Sequence, residues 1–248
     1  MNVPRNDHDD ACADWQPFDA LETEAQLSGL QQLLRDRPAQ HIVDLGCGSG
    51  RMLLPLLEEE HHIIGVDHDA RALAAITAQL QSQSVDVRNR ATLICCDMLD
   101  IPLEADGQPV IAPGSCDLVL CLGNTFMSIV DVAAAAGLLC RVANWLRPES
   151  GRFVIDDFPH AAWAEIVEHG TWQNGISDDQ SQQMIFQPGD DVFALRTGSA
   201  VDEDNWTINE SDRCFRMWSL GLLQFIAQQA GFATLVHDAE HHLIVLQR

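Results

Sequence analysis

The chain is 248 residues long and 46% apolar, with a formal net charge of -23, which suits one α/β domain with a sizeable core and disfavours a bare phosphate backbone as partner. It contains no lysine and no tyrosine, which removes P-loop phosphate chemistry, Schiff-base and pyridoxal catalysis and the Tyr-Lys mechanism of short-chain dehydrogenases together. Scattered cysteines without a C-x-x-C pair, no apolar run long enough for a membrane span and a polar, acidic N-terminus give the expectation of a cytoplasmic protein with free thiols and no membrane partner.

After a charged tail, Asp19 to Arg35 carries leucines at helical spacing and reads as a covering helix. From residue 41 the pattern alternates. Strands are expected at His41–Leu45, Ile63–Asp67, Thr92–Cys96, Leu118–Leu122 and Arg152–Ile155, with helices from about Ser49, over Asp69–Gln81 and over Asp131–Leu146. Pro55 makes the first of these helices awkward. Between Phe158 and Trp218 the runs QQMIFQ, VFALRTG and CFRMW read as antiparallel strands separated by the turn PGDD and the polar stretch DEDNWTINESD. A last helix, Ser219 to Ala230, is closed by Gly231, and two β runs, Phe232–His237 and His241–Gln247, meet at the turn DAEH.

Short apolar strands alternating with helices imply a Rossmann-like, doubly wound α/β sheet, here seven-stranded, with an antiparallel terminal hairpin strand and a small antiparallel β insertion. The expected organisation is a tail and covering helix over 1–39, a ligand-binding domain over 40–158 and 218–248, and an inserted lid over 159–217.

The strongest chemical signal is Asp44-Leu45-Gly46-Cys47-Gly48-Ser49-Gly50-Arg51, an acid at a strand end followed by three alternating glycines. Glycines let backbone amides approach a ligand, and the helix beyond offers its N-terminus to a carboxylate. The dinucleotide spacing G-x-G-x-x-G fails, because its last position falls on Arg51 or Leu53. Asp67 ends the second strand, where an acid can accept both hydroxyls of a ribose. The third strand ends in Asp97-Met98 and the fourth runs into Leu122-Gly123-Asn124-Thr125-Phe126. Four successive strand ends are thus equipped for one nucleoside-like ligand.

This arrangement resembles the class I S-adenosylmethionine-dependent methyltransferases, over roughly Gln40 to Ile155 plus the terminal helix and hairpin. The resemblance implies that Asp44, Gly46, Cys47, Gly48 and Gly50 hold the methionine moiety and Asp67 the ribose. It places His68, Asp97, Met98 and Leu122 around the adenine. The Gly123–Phe126 loop looks like that of glycine and sarcosine N-methyltransferases and lacks the N/D-P-P-Y/F/W signature of enzymes that methylate bases. The implied function is methyl transfer from S-adenosyl-L-methionine to a small-molecule acceptor, an amine in the first instance, with S-adenosyl-L-homocysteine as product and no nucleic-acid partner. A non-catalytic nucleoside-binding regulator and a protein or RNA methyltransferase are the alternatives.

On the acceptor side, Asn124 and His160 are the candidate catalytic residues, His160 as a base just beyond the fifth strand. Arg196, Arg213 and Arg216 are candidates for gripping an acceptor carboxylate, with Arg213 and Arg216 on opposite strand faces. Trp15 or Phe18 would close an apolar lid over the site. No metal is expected, because the adjacent pairs His61-His62, His241-His242 and Asp156-Asp157 diverge along a strand.

Overall fold

The computed structural model describes residues 19–35, 40–157, 172–173, 175–177 and 179–248. The described residues divide into two compact units: a larger one holding 19–35, 40–126, 133–157 and 224–248, and a smaller one holding 127–132, 172–173, 175–177 and 179–223.

The larger unit is built on a seven-stranded sheet. Its strands are β1 (His41–Leu45), β2 (His62–Asp67), β3 (Ala91–Cys95), β6 (Leu118–Cys121), β7 (Arg152–Asp156), β13 (Thr234–Asp238) and β14 (Leu243–Gln247), after a two-residue ribbon, β4 (Glu104–Ala105) with β5 (Gln108–Pro109), is counted. The order is β13-β14-β7-β6-β1-β2-β3. Only β14 runs against its neighbours, pairing antiparallel with both β7 and β13. The chain therefore starts mid-sheet and winds outward both ways, so that the tips of β1 and β6 lie at the topological switch point where open α/β sheets hold ligands. Register brings the tips into one row: Asp44 lies opposite Gly65 and Leu120, Asp67 opposite Cys95, and Cys121 opposite Ile155.

Strands and helices fall where the sequence pattern places them, within a residue or two, except the helix expected from Ser49. That helix, α2 (Leu53–Glu58), starts four residues later because 46–52 remain in turns. The delay removes the difficulty with Pro55, which occupies the first helical turn, where its missing N–H has no helical partner to lose. In α3 (Ala70–Gln81) the Asp69 carboxylate caps the Arg71 N–H at 2.8 Å. The short helix α4 (Val85–Asn89) and the β4–β5 ribbon were not legible, being too brief for a period to show.

Helix α1 (Ala20–Leu34) begins with a capping box between Asp19 and Glu22. It buries Gln26, Gly29, Leu30 and Leu34. Gly29 allows the close approach, since a Cβ there would lie 2.6 Å from His241 Cβ and 2.8 Å from Leu243 Cδ1. The core of this face joins Leu30 and Leu34 to Ile42, Leu53, Ile76, Leu118, Val154 and Leu243. After α5 (Val132–Trp145), the final helix α6 (Leu220–Gln229) ends at Gly231, whose φ of +95° fits the left-handed stop expected of it.

The smaller unit holds a five-stranded antiparallel sheet: β8 (Trp172–Gln173), β9 (Ile176–Ser177), β10 (Gln182–Phe186), β11 (Val192–Thr197) and β12 (Arg213–Arg216), ordered β12-β11-β10-β9-β8. Its own core gathers Val130, Ile185, Val192, Ala194 and Cys214. Among the described residues no helix is long and apolar enough to cross a membrane.

Candidate active site

The turn after β1 is built from backbone that only glycine adopts readily, with φ of +71°, +52° and +94° at Gly46, Gly48 and Gly50. The three glycines face different surroundings. A Cβ on Gly46 would lie 2.4 Å from Thr125 Cγ2, and one on Gly50 would touch Leu54 and Ile76, whereas one on Gly48 meets nothing within 4 Å among the described residues. Gly48 is therefore the glycine that opens toward free space. The turn is tied to β2 by Gly46 and Cys47 N–H groups, which donate to the Val66 carbonyl at 2.8 and 3.1 Å.

Asp67 sits at the tip of β2 and is nearly buried, 7% exposed. Its Oδ2 accepts from the Gly48 N–H at 2.8 Å and its Oδ1 from the Asp69 N–H at 2.8 Å. Those bonds fix the carboxylate against the glycine turn while each oxygen retains acceptor capacity for a hydroxyl. His68, half exposed, places Nδ1 3.7 Å from Asp67 Oδ1. Next along the edge, exposed Asp97 accepts from the Leu99 N–H at 2.8 Å, and the Met98 sulfur lies 4.0 Å from Cys121 Sγ. Leu122 and Cys47 are buried, and burial pushes the Cys47 thiol far up, which makes it an apolar wall and not a nucleophile.

Asp44 and Asp156 stand at the tips of β1 and β7, 3% and 2% exposed. Burial, opposed by Arg51 and reinforced by Asp67 and Asp156, pushes Asp44 up to about 7. Burial likewise pushes Asp156 up to about 6, against the bonds it accepts from Gln26 and from the Asn124 and Gly123 N–H groups. The neighbouring Asp67 and Asp156 raise the proton affinity of Asp44, and positive charge relieves the arrangement. Arg51, at the end of the turn, supplies some: its Nη1 donates to Gln26 Oε1 at 2.8 Å and to Thr23 Oγ1 at 3.3 Å.

The loop after β6 is shaped by Asp156. Its Oδ2 accepts from the Asn124 N–H at 2.6 Å, holding Asn124 in the left-handed region at φ +57°. Asn124 Oδ1 is buried and has no hydrogen-bond partner among the described residues. A buried oxygen in this state is costly, which makes it a candidate for a ligand N–H or O–H.

Asp44, Gly46, Cys47, Gly48, Gly50, Asp67, His68, Asp97, Met98, Leu122 and Asn124 thus share one sheet edge. Arg51, Gln26 and Asp156 join them unforeseen. In the sequence Arg51 shows only as the position where the dinucleotide glycine fails, and Asp156 only as half of an adjacent acid pair. That pair does diverge: Asp156 turns to Gln26 and Asn124, and Asp157 meets His237 Nε2 at 2.9 Å. His160, Trp15 and Phe18 lie outside the described residues.

Two expectations are corrected in the smaller unit. Arg196, 4% exposed, grips Asp212 with Nε and Nη2 at 2.8 Å each and donates further to the carbonyls of Asn205 and Thr207 and to Gln183 Oε1. All five of its N–H positions are engaged inside the sheet, so none remains for an acceptor carboxylate. Arg216, 7% exposed, pairs with both Asp190 oxygens at 2.7 and 3.1 Å and donates to the Val130 carbonyl at 2.7 Å. Both arginines staple loops, because a buried guanidinium is tolerable only when its donors are matched. Arg216→Met should lower the unfolding free energy by about 2 kcal/mol and leave the acceptor KM unchanged; a raised KM at unchanged stability would restore its role in acceptor binding.

Comparison with known proteins fits this geometry. Residues 42–149 match a family model described as a methyltransferase domain. Over 204 residues the chain is 28% identical to trans-aconitate 2-methyltransferase of Acidovorax ebreus, covering 78% of this chain and 71% of that protein. It is also 28% identical over 170 residues to the 23S rRNA (uracil(1939)-C(5))-methyltransferase RlmD of Xanthomonas axonopodis, but that match spans only 38% of RlmD and 62% of this chain. Among solved structures, the Burkholderia thailandensis 1,6-didemethyltoxoflavin-N1-methyltransferase, with bound 1,6-didemethyltoxoflavin and S-adenosylhomocysteine, superposes with a TM-score of 0.55 at 15% identity, covering 93% of this chain and 79% of that one.

Proposed function

We propose that the chain is a class I S-adenosylmethionine-dependent methyltransferase that methylates a small, uncharged or cationic molecule at nitrogen. The observation that carries this reading is Asn124 Oδ1, a buried hydrogen-bond acceptor without a partner among the described residues, on a loop whose backbone is held by Asp156. An N–H bearing nucleophile donates to such an oxygen while its lone pair stays free to attack.

In this reading Asp67 accepts the ribose hydroxyls, and Asp97, Met98, His68 and Leu122 line the adenine end. The open face of Gly48 leaves room for the amino-acid tail, with Arg51 toward its carboxylate and Asp44 toward its ammonium. When bound, the cofactor supplies a methyl group on a sulfonium, whose departure as a neutral thioether needs no covalent catalysis by the protein. The protein's part is positioning and charge: an in-line approach at about 3 Å and a set of carboxylates that complement a cation before it arrives. Asn124 Oδ1 would hold the acceptor nitrogen through its N–H with the lone pair free toward the methyl group, and the proton left on nitrogen after transfer would pass to solvent water.

The acceptor's charge follows from what is already used. Arg196 and Arg216 are committed to Asp212 and Asp190, and the chain carries a net charge of -23, so a tricarboxylate such as the one in the name of the Acidovorax relative meets repulsion here. The same charge opposes an RNA backbone.

A panel of small amines, hydroxy compounds, trans-aconitate and an rRNA fragment, read by S-adenosylhomocysteine release and by the site of the added methyl group, tests the proposal. Methylation of an amine nitrogen supports it; turnover confined to the rRNA fragment or to carboxylate oxygens overturns it. Cofactor placement is tested separately. Asp67→Ala should weaken S-adenosylhomocysteine binding in calorimetry about 10- to 100-fold, the worth of one or two hydrogen bonds to a charged group.

A further inference from the structure

Two polar side chains of helix α1, Thr23 and Gln26, reach Arg51 at the end of the glycine turn. Gln26 is fully buried. Its Oε1 accepts from Arg51 Nη1 at 2.8 Å, and its Nε2 donates to Asp156 Oδ1 at 2.8 Å and, more weakly at 3.4 Å, to the His242 carbonyl. The amide can take only one orientation, because the guanidinium needs its oxygen and the carboxylate and carbonyl need its N–H groups.

We propose that Gln26 is a positioning residue for the methionine half of the cofactor, fixing Arg51 at the glycine turn and Asp156 at the Asn124 turn through one neutral amide. The inference rests on the cofactor placement proposed above. Nothing about docking the helix demands an amide here: Gly29, Leu30 and Leu34 already seat α1 on the sheet, and an apolar side chain of equal length would bury as well. An amide does what no apolar or charged residue could. It bridges a cation and an anion, setting where the Arg51 guanidinium stands at the glycine turn while Asp156 still accepts the Asn124 N–H.

The groups that face this position are Arg51 and Asp156, with Asp44 and Glu22 nearby acting on Arg51. Placing a titratable group among them gives a test. In Gln26→Glu the protonated carboxyl is nearly isosteric with the amide: its O–H donates to Asp156 and its C=O accepts from Arg51. Once ionised, it repels Asp156 and draws Arg51 to itself. Gln26→Met keeps the volume and removes both bonds.

The experiment is calorimetry with S-adenosylhomocysteine and with 5′-methylthioadenosine, which lacks the amino-acid tail, on the parent and both variants at about pH 5.5 and about pH 8. Gln26→Met should lose roughly 10-fold in S-adenosylhomocysteine affinity and nothing for 5′-methylthioadenosine. Gln26→Glu should match the parent at the lower pH and fall roughly 10-fold below it at the higher. Equal losses for the two ligands in Gln26→Met, no loss for either, or a pH-independent ratio in Gln26→Glu would each overturn the inference. Should Gln26→Met fail to fold, the ratio in Gln26→Glu decides alone. If Asp67→Ala leaves S-adenosylhomocysteine affinity intact, the cofactor placement fails; if only the Gln26 variants are silent, the placement stands and the role of Gln26 does not.

Discussion

Gly48→Val should lose S-adenosylhomocysteine binding while the fold survives. At this position φ is +52° and a Cβ has open space around it, so the fold bears only the backbone strain of a side chain in the left-handed region, about 1–3 kcal/mol. For a chain of this size that lowers Tm by only several degrees. The same open space is where the amino-acid tail is placed, and two methyl groups there should cut affinity at least about 1000-fold, equivalent to roughly 4 kcal/mol. Gly46→Ala is the control. It shares the strain, at φ +71°, but its methyl would stand 2.4 Å from Thr125 Cγ2, adding about 1–3 kcal/mol of overpacking. The expectation is a crossed pattern: the valine variant melts near the parent and does not bind, and the alanine variant melts clearly lower. Calorimetry and thermal melts on the two proteins check it, and a Gly48→Val protein with parental affinity would remove the turn from the cofactor site.

The second large effect is a dependence of cofactor affinity on pH. Asp44 and Asp156, at about 7 and about 6 when folded, bind a proton more tightly than in the unfolded chain, where both lie near 4. The sign is opposite to that of a salt-bridged acid. The free protein is most stable below about pH 4 with respect to these two groups and loses that contribution as pH rises through about 7. A ligand bearing an ammonium favours the ionised carboxylates and releases protons as it binds. Affinity for S-adenosylhomocysteine should therefore rise from about pH 5 and level off above about pH 7.5, by roughly 100-fold if binding requires Asp44 ionised. Ligand-induced shifts in Tm should be larger at about pH 8 than at about pH 5.5, and Asp44→Asn should flatten the profile. A parental profile level across this range would show that these carboxylates do not meet the ligand's charge.

The strand-tip residues were legible in the sequence for a local reason. Asp44, Gly46, Gly48 and Gly50 lie within seven positions, and their meaning depends only on a strand preceding them and a helix following. Asp67 and Asp97 needed one further step, that parallel strands end at one edge. The arginines misled because a side chain's worth depends on what it meets: Arg196 finds Asp212 sixteen residues on, and no periodicity in the sequence signals a bidentate pair closing a loop. Gln26 was invisible for the same reason at longer range, since its partner Asp156 is 130 residues away. Within α1 it is one polar residue among leucines, and only the close approach at Gly29 turns it into the site. Asp156 carried a weak signal, an acid ending an apolar strand like Asp44 and Asp67, and that parallel could have recovered it.

The contact between Gly46 and Thr125 has a consequence for how the cleft responds to its occupant. Thr125 fills the room a side chain at Gly46 would need, and its hydroxyl is anchored to the Leu122 carbonyl at 2.7 Å. The bend leaving β1 and the bend leaving β6 are thereby keyed together like a tongue in a groove, with no slack for either to swing independently. On the proposed placement, the floor beneath the methionine tail would already be ordered before a nucleoside arrives, and binding would not have to supply that ordering.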